Sequence, residues 1–153
     1  MSLIHAEASH VIDARPEQIY AILSDYHEGH PAILPKPYFT ELTVEKGGTG
    51  AGTVIRVGIK VLGLERTYHM IVSEPEPGRV LVETDIDTGQ TSTFTVEPLN
   101  GGTQSRVTIA TDFKASPGFA GFMEKWLNPP ITRRIFKKEL RQLADYVRHK
   151  SGS

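Results

Sequence analysis

The strongest constraint on the fold lies between Tyr38 and Phe113, where short runs of alternating apolar and polar residues are cut by turn signals. Tyr38–Glu45 ends at the glycine-rich stretch 47–52, Thr53–Val61 at Leu62-Gly63-Leu64, and Arg66–Val72 at Pro75-Glu76-Pro77-Gly78. Val80–Ile86 ends at Asp87-Thr88-Gly89, Gln90–Val96 at Pro98-Leu99-Asn100-Gly101-Gly102, and Gln104–Phe113 closes the series. A period of two marks strands with one face on a core. Links this short join antiparallel neighbours, because parallel pairs need long crossovers. The segment is therefore expected to be a meander.

The flanks complete the pattern. Ala6 to Asp13 also alternates, with Ala6, Ala8, His10 and Ile12 on one face, and reads as a further strand. Arg15-Pro16-Glu17 opens a short helix, since proline suits the first turn and an acidic side chain suits the positive end of the helix dipole. The proline-broken stretch Asp25 to Pro37 has room for one more short helix. After Phe113 the period becomes helical. Ser116-Pro117 is a cap followed by proline, Phe119, Phe122, Met123, Trp126 and Leu127 form one stripe, and Asn128-Pro129-Pro130 restarts or kinks the helix. Ile135, Phe136, Leu140, Leu143, Ala144 and Val147 carry an apolar face onward to His149. Roughly 20 helical residues reach about 30 Å, enough to cross the sheet. A one-faced sheet and one amphipathic helix must cover each other, and one helix cannot fill the concave side of a twisted seven-stranded sheet. An internal cavity is expected beside the helix.

Composition excludes several classes. Lys+Arg 17 against Asp+Glu 18 gives a formal charge of −1, with no cationic excess to hold nucleic acid. Cys 0 removes disulfides and thiolate chemistry. No apolar run of signal-peptide or membrane-spanning character occurs, so a cytoplasmic protein without stable membrane insertion is expected. Residues 4–149 are expected to form one domain, with 1–3 and 150–153 as disordered or cloning-derived ends.

Val11-Ile12-Asp13-Ala14-Arg15-Pro16-Glu17-Gln18-Ile19-Tyr20-Ala21-Ile22-Leu23-Ser24-Asp25 resembles the strand-to-helix opening of the SRPBCC, or START-like, helix-grip superfamily. The glycine-rich turn 47–52, the segment Glu74-Pro75-Glu76-Pro77-Gly78-Arg79-Val80-Leu81, and Gly102-Thr103-Gln104-Ser105-Arg106-Val107-Thr108 resemble its turns and its last strand. The bacterial polyketide cyclase/dehydrase-like branch is the most similar. The resemblance spans nearly all of residues 4 to 149 and implies an α+β helix-grip fold: a seven-stranded curved antiparallel sheet around a long C-terminal helix, with two short helices after the first strand. It implies no particular activity, because this scaffold hosts carriers, receptors, cyclases and chaperone activators.

Several residues could carry chemistry. The glycine-rich turn opens a strand rather than a Lys-Ser/Thr helix, so it reads as a hairpin turn and not a phosphate cradle. His27 and His30 have helical metal-ligand spacing but no assured third ligand, and read as rim or surface histidines; no metal or cofactor is expected. His10 shares the inward face of the first strand, as a ligand-binding or proton-transferring group or as a satisfied core histidine. Arg66, Tyr68, Met70 and Val72 are assigned inward. The face of Val80–Ile86 stays open: Glu83 points either to solvent or into the cavity, where Arg66 or Tyr68 would have to partner it. Gln90, Ser92, Phe94 and Val96 share one inner face, and Val107, Ile109, Thr111 and Phe113 the next. Phe119, Phe122, Met123 and Trp126 are core, ligand-contacting lid or membrane-touching surface, and Arg133, Arg134, Lys137, Lys138 and Arg141 form a solvated face.

The expected function is binding of a hydrophobic small molecule (a lipid, isoprenoid or aromatic polyketide-like compound) between sheet and helix, as carrier or sensor. Ligand contacts are expected from His10, Arg66, Tyr68, Met70, Glu83, Ser92, Phe94, Phe119, Phe122, Met123 and Trp126. The alternatives are a cyclase or dehydratase using His10, Tyr68, Arg66 or Glu83, and a chaperone-activator-like interaction module.

Overall fold

In the computed structural model, which describes residues 2–61, 63–115 and 129–151, strand β1 (Ser2–Ile12) leads into helices α1 (Pro16–Ser24) and α2 (Gly29–Ile33). The meander follows as β2 (Phe39–Lys46), β3 (Val54–Val61), β4 (Leu64–Glu76), β5 (Val80–Asp85), β6 (Thr91–Leu99) and β7 (Gln104–Ala115). Helix α3 (Pro129–Ser151) closes the chain. The stripe Phe119, Phe122, Met123 and Trp126 lies outside the described residues.

The sheet has seven strands in the order β1-β7-β6-β5-β4-β3-β2, every neighbour antiparallel. Consecutive strands of the meander pair through their turns, and β1 is added against β7. That ladder runs back to Ser2↔Ala115, while α3 continues to Ser151, so residues 2–3 and 150–151, expected to be loose, lie inside regular elements.

One face of the sheet carries the core: Ala6, Ala8 and Ile12 of β1, Ile55 and Val57 of β3, Tyr68, Met70 and Val72 of β4, and Phe94, Val96, Val107 and Ile109 of β6 and β7. Helix α3 meets it with Thr132, Ile135, Phe136, Glu139, Leu140, Leu143 and Val147, spaced by three and four residues, and turns its basic residues Arg133, Arg134, Lys137, Lys138 and Arg141 to solvent. Twenty-three residues make a helix of about 34 Å, long enough to lie across the sheet. Among the described residues no helix is long and apolar enough to cross a membrane.

The link between α1 and α2 is fixed by two devices. The Asp25 carboxylate accepts the backbone N–H groups of His27, Glu28 and Gly29 at 3.1 to 3.4 Å, satisfying donors that open α2. The glycine-rich turn docks on the same link: Tyr26 N–H donates to the Gly48 carbonyl at 2.9 Å and Gly50 N–H to the Ser24 carbonyl at 3.0 Å. Gly48 adopts φ +144°, and a β-carbon there would overlap the His27 ring, so the turn approaches this closely only as glycine.

Gly29 has a tighter requirement, because a β-carbon on it would lie 2.5 Å from the Ile22 carbonyl oxygen, which is backbone and cannot yield. Gly29→Ala is expected to cost about 1–3 kcal/mol by forcing α2 away from α1. Urea denaturation measures it, and an unchanged midpoint would contradict the close approach.

Candidate functional site

Between sheet and α3 lies a cavity of about 800 Å³, counting the part open to solvent, in which the centre of a water molecule can range over about 80 Å³. Its walls are mainly apolar: Leu34, Phe39, Leu42, Ile55, Val57, Ile59, Val61, Met70, Phe94, Ile135 and Phe136. Set among them are His30, Tyr68, Glu83, Gln90, Ser92, Thr111, Thr132 and Glu139. Apolar walls with a few placed polar groups are the usual composition of a small-molecule site.

The strand whose face stayed open is resolved by burial. In β5, Leu81, Glu83 and Asp85 are buried while Val80, Val82 and Thr84 are half-buried, so Glu83 points inward. Asp85, also inward, is consumed locally: it accepts from the His69 and Thr88 N–H groups and the Thr88 hydroxyl, closing the turn before Gln90. Neither Arg66 nor Tyr68 partners Glu83. Its Oε2 accepts the Tyr26 hydroxyl at 2.7 Å and stands 3.5 Å from His30 Nε2, an ion pair when the imidazole is protonated.

His30, expected at the rim, is instead buried with 2% of its surface exposed. Its Nδ1 lies 2.7 Å from the Leu23 carbonyl, which can only accept, so Nδ1 carries a proton and donates there. The ring stacks on Tyr26 at 4.5 Å and meets Phe94 edge-on at 5.2 Å. His27 is exposed, so the two histidines do not converge on a metal.

Glu139 enters from α3. It is 2% exposed and lines the cavity wall. Burial, and then the charge of Glu83, hold its carboxyl well above the usual carboxylate range, so it is kept neutral and can donate. Burial, then the charge of Glu83, also raises the Tyr26 hydroxyl. Burial pushes Tyr68 up to about 12, with Arg66 pulling the other way, so both phenols remain donors.

Of the residues expected to bind ligand, Tyr68, Met70, Glu83, Ser92 and Phe94 line this cavity together. Arg66 does not; it is half-buried, with its guanidinium 4.9 Å from the centre of the Tyr68 ring. His10, whose register partner Val107 is buried, is itself exposed. β1 is an edge strand with only β7 beside it, so a long polar side chain there can lean off the sheet into water. The unforeseen members are His30, Thr132 and Glu139, with Tyr26 holding Glu83 from outside the lining. For Thr132 and Glu139 a signal existed, since both interrupt the apolar stripe of α3 at buried spacing.

The family model described as polyketide cyclase / dehydrase and lipid transport matches residues 4–148. The chain is similar to KanY (ms6282), solved in solution by NMR, with 30% identity over 97% of this chain and 99% of that one and a TM-score of 0.82. It shares the fold of the Zhui aromatase/cyclase from Streptomyces sp. R1128, at 16% identity, 98% and 96% coverage and TM-score 0.76. TTHA0849 from Thermus thermophilus follows at 21% identity, 97% and 99% coverage and TM-score 0.74. A search of curated proteins finds no match. With a helix-grip sheet, a cavity under the last helix and a match over almost its whole length, the chain belongs to the polyketide cyclase / dehydrase and lipid-transport family.

Proposed function

We propose that the chain holds a small, mostly apolar molecule in this cavity, as a carrier or sensor. The observation that carries the proposal is the cavity itself: a space between sheet and helix walled mainly by apolar side chains, with a few buried polar groups set among them. Native mass spectrometry of the purified protein is expected to show a co-purified compound. Ser92→Phe, which places a ring in the space facing Glu83 and Thr111, is expected to abolish that binding while the circular-dichroism spectrum is kept. Equal ligand content in Ser92→Phe, or a wild-type protein that takes up no apolar compound at all, would overturn the reading.

A second reading, acid–base chemistry of the cyclase or dehydratase kind, is favoured by one arrangement. A buried carboxyl held well above the usual carboxylate range, Glu139, and the His30 imidazole line one mainly apolar space. There Glu139 would donate to a carbonyl or departing hydroxyl oxygen while His30 accepts a proton from carbon. Incubation with a synthetic poly-β-ketone separates the readings. Recovery unchanged supports holding; a cyclised or dehydrated product that disappears in Glu139→Gln supports chemistry.

A further inference from the structure

We infer that the ligand of this cavity carries a protonated amine on an apolar, partly aromatic body, with Glu139 as the partner of the ammonium group. The inference rests on the ligand-binding reading above and names the chemical class that fits it.

The polar part of the wall brings two buried carboxyl groups and an amide oxygen to one space. Gln90 Oε1 is buried without a hydrogen bond. The amide is not free to turn over: the Thr111 hydroxyl donates to the Thr91 carbonyl at 2.8 Å, so its oxygen must accept from the Gln90 amino group, 3.4 Å away. Glu83 spends Oε2 on Tyr26 and His30, leaving Oε1. Glu139 brings a second buried carboxyl group to the same wall. No Lys or Arg lines the cavity among those residues, so two carboxyl groups face it with only His30 to oppose them. The remaining wall includes Phe39, Tyr68, Phe94 and Phe136, whose ring faces attract an ammonium group and repel an anion.

The proton balance gives a signature. An ammonium ion meeting neutral Glu139 forms an ammonium–carboxylate pair and sends the carboxyl proton to solvent, so each amine bound releases one proton. Glu139 shares the cavity wall with Glu83 of β5, His30 of α2 and Tyr68 of β4, and its charge also reaches Tyr26 in the α1–α2 link. The two phenols, raised by burial, hold their protons.

Titration calorimetry with phenethylamine, phenethyl alcohol and phenylacetate, in buffers of differing ionisation heat, tests this. The amine is expected to bind with release of up to one proton, its affinity rising with pH by no more than about tenfold per unit while the free protein keeps the Glu139 proton. The alcohol should bind without that dependence and phenylacetate most weakly. In Glu139→Gln the proton release should vanish, and amine affinity should fall about tenfold or more near pH 8, with alcohol binding retained. An alcohol that binds as well as the amine, with no proton released, overturns the amine and leaves the cavity reading intact. Proton release that survives Glu139→Gln overturns Glu139 as the partner. If none of the three probes binds, the cavity reading itself falls with the inference.

Discussion

Replacing Glu83 with alanine is expected to lower stability by about 3–5 kcal/mol, far more than loss of its methylene groups alone accounts for. Glu83 lies on a strand face that is otherwise core, and its Oε2 is the acceptor for the buried Tyr26 hydroxyl. Without it, that hydroxyl and His30 Nε2 both stay inside with no partner and no route to water. Tyr26→Phe removes the donor instead and should cost about 1–3 kcal/mol. In the double variant the two losses should add to less than their sum, since the phenol that Glu83→Ala orphans is already gone. Chemical denaturation of the four proteins measures the coupling. A Glu83→Ala loss of under about 1 kcal/mol, or strict additivity, would mean that the pair contributes little to the folded state.

How far the sequence exposed this arrangement depends on where each member sits. Strands and turns were legible because alternation and glycine placement are local signals, and the order of elements then left a single helix to cover a single sheet. Glu83 was ambiguous because β5 alternates two mixed sets, and only the half-buried state of Val80 and Val82 shows which side faces in. Glu139 was visible in principle, as a carboxylate on the buried stripe of α3. Tyr26 and His30 were not. They lie in a proline-broken link with no period to read, and are driven inward by tertiary contacts: the Asp25 turn, the docking of the glycine-rich turn, and the close approach at Gly29. His10 shows the opposite failure, where a correct face at an open edge did not mean burial.

Glu139 makes the sharpest demand on pH. Its folded carboxyl is held well above the ordinary value near 4.5, first by burial and then by the charge of Glu83. For a group raised in this way, the stabilising contribution is complete below the unfolded value and is lost as pH climbs through the folded one. The wild-type protein should therefore lose stability relative to Glu139→Gln as pH rises above the ordinary carboxylate range, at no more than about 1.4 kcal/mol per pH unit. Glutamine keeps the shape of the neutral acid and cannot ionise, so the difference between the two curves isolates this one proton. Denaturation midpoints at several pH values give that difference directly, and parallel curves would show that Glu139 ionises freely where it stands. In Glu83→Gln the same slope should end at a lower pH. The neighbouring charge is then gone, burial alone holds the proton, and Glu139 gives it up sooner.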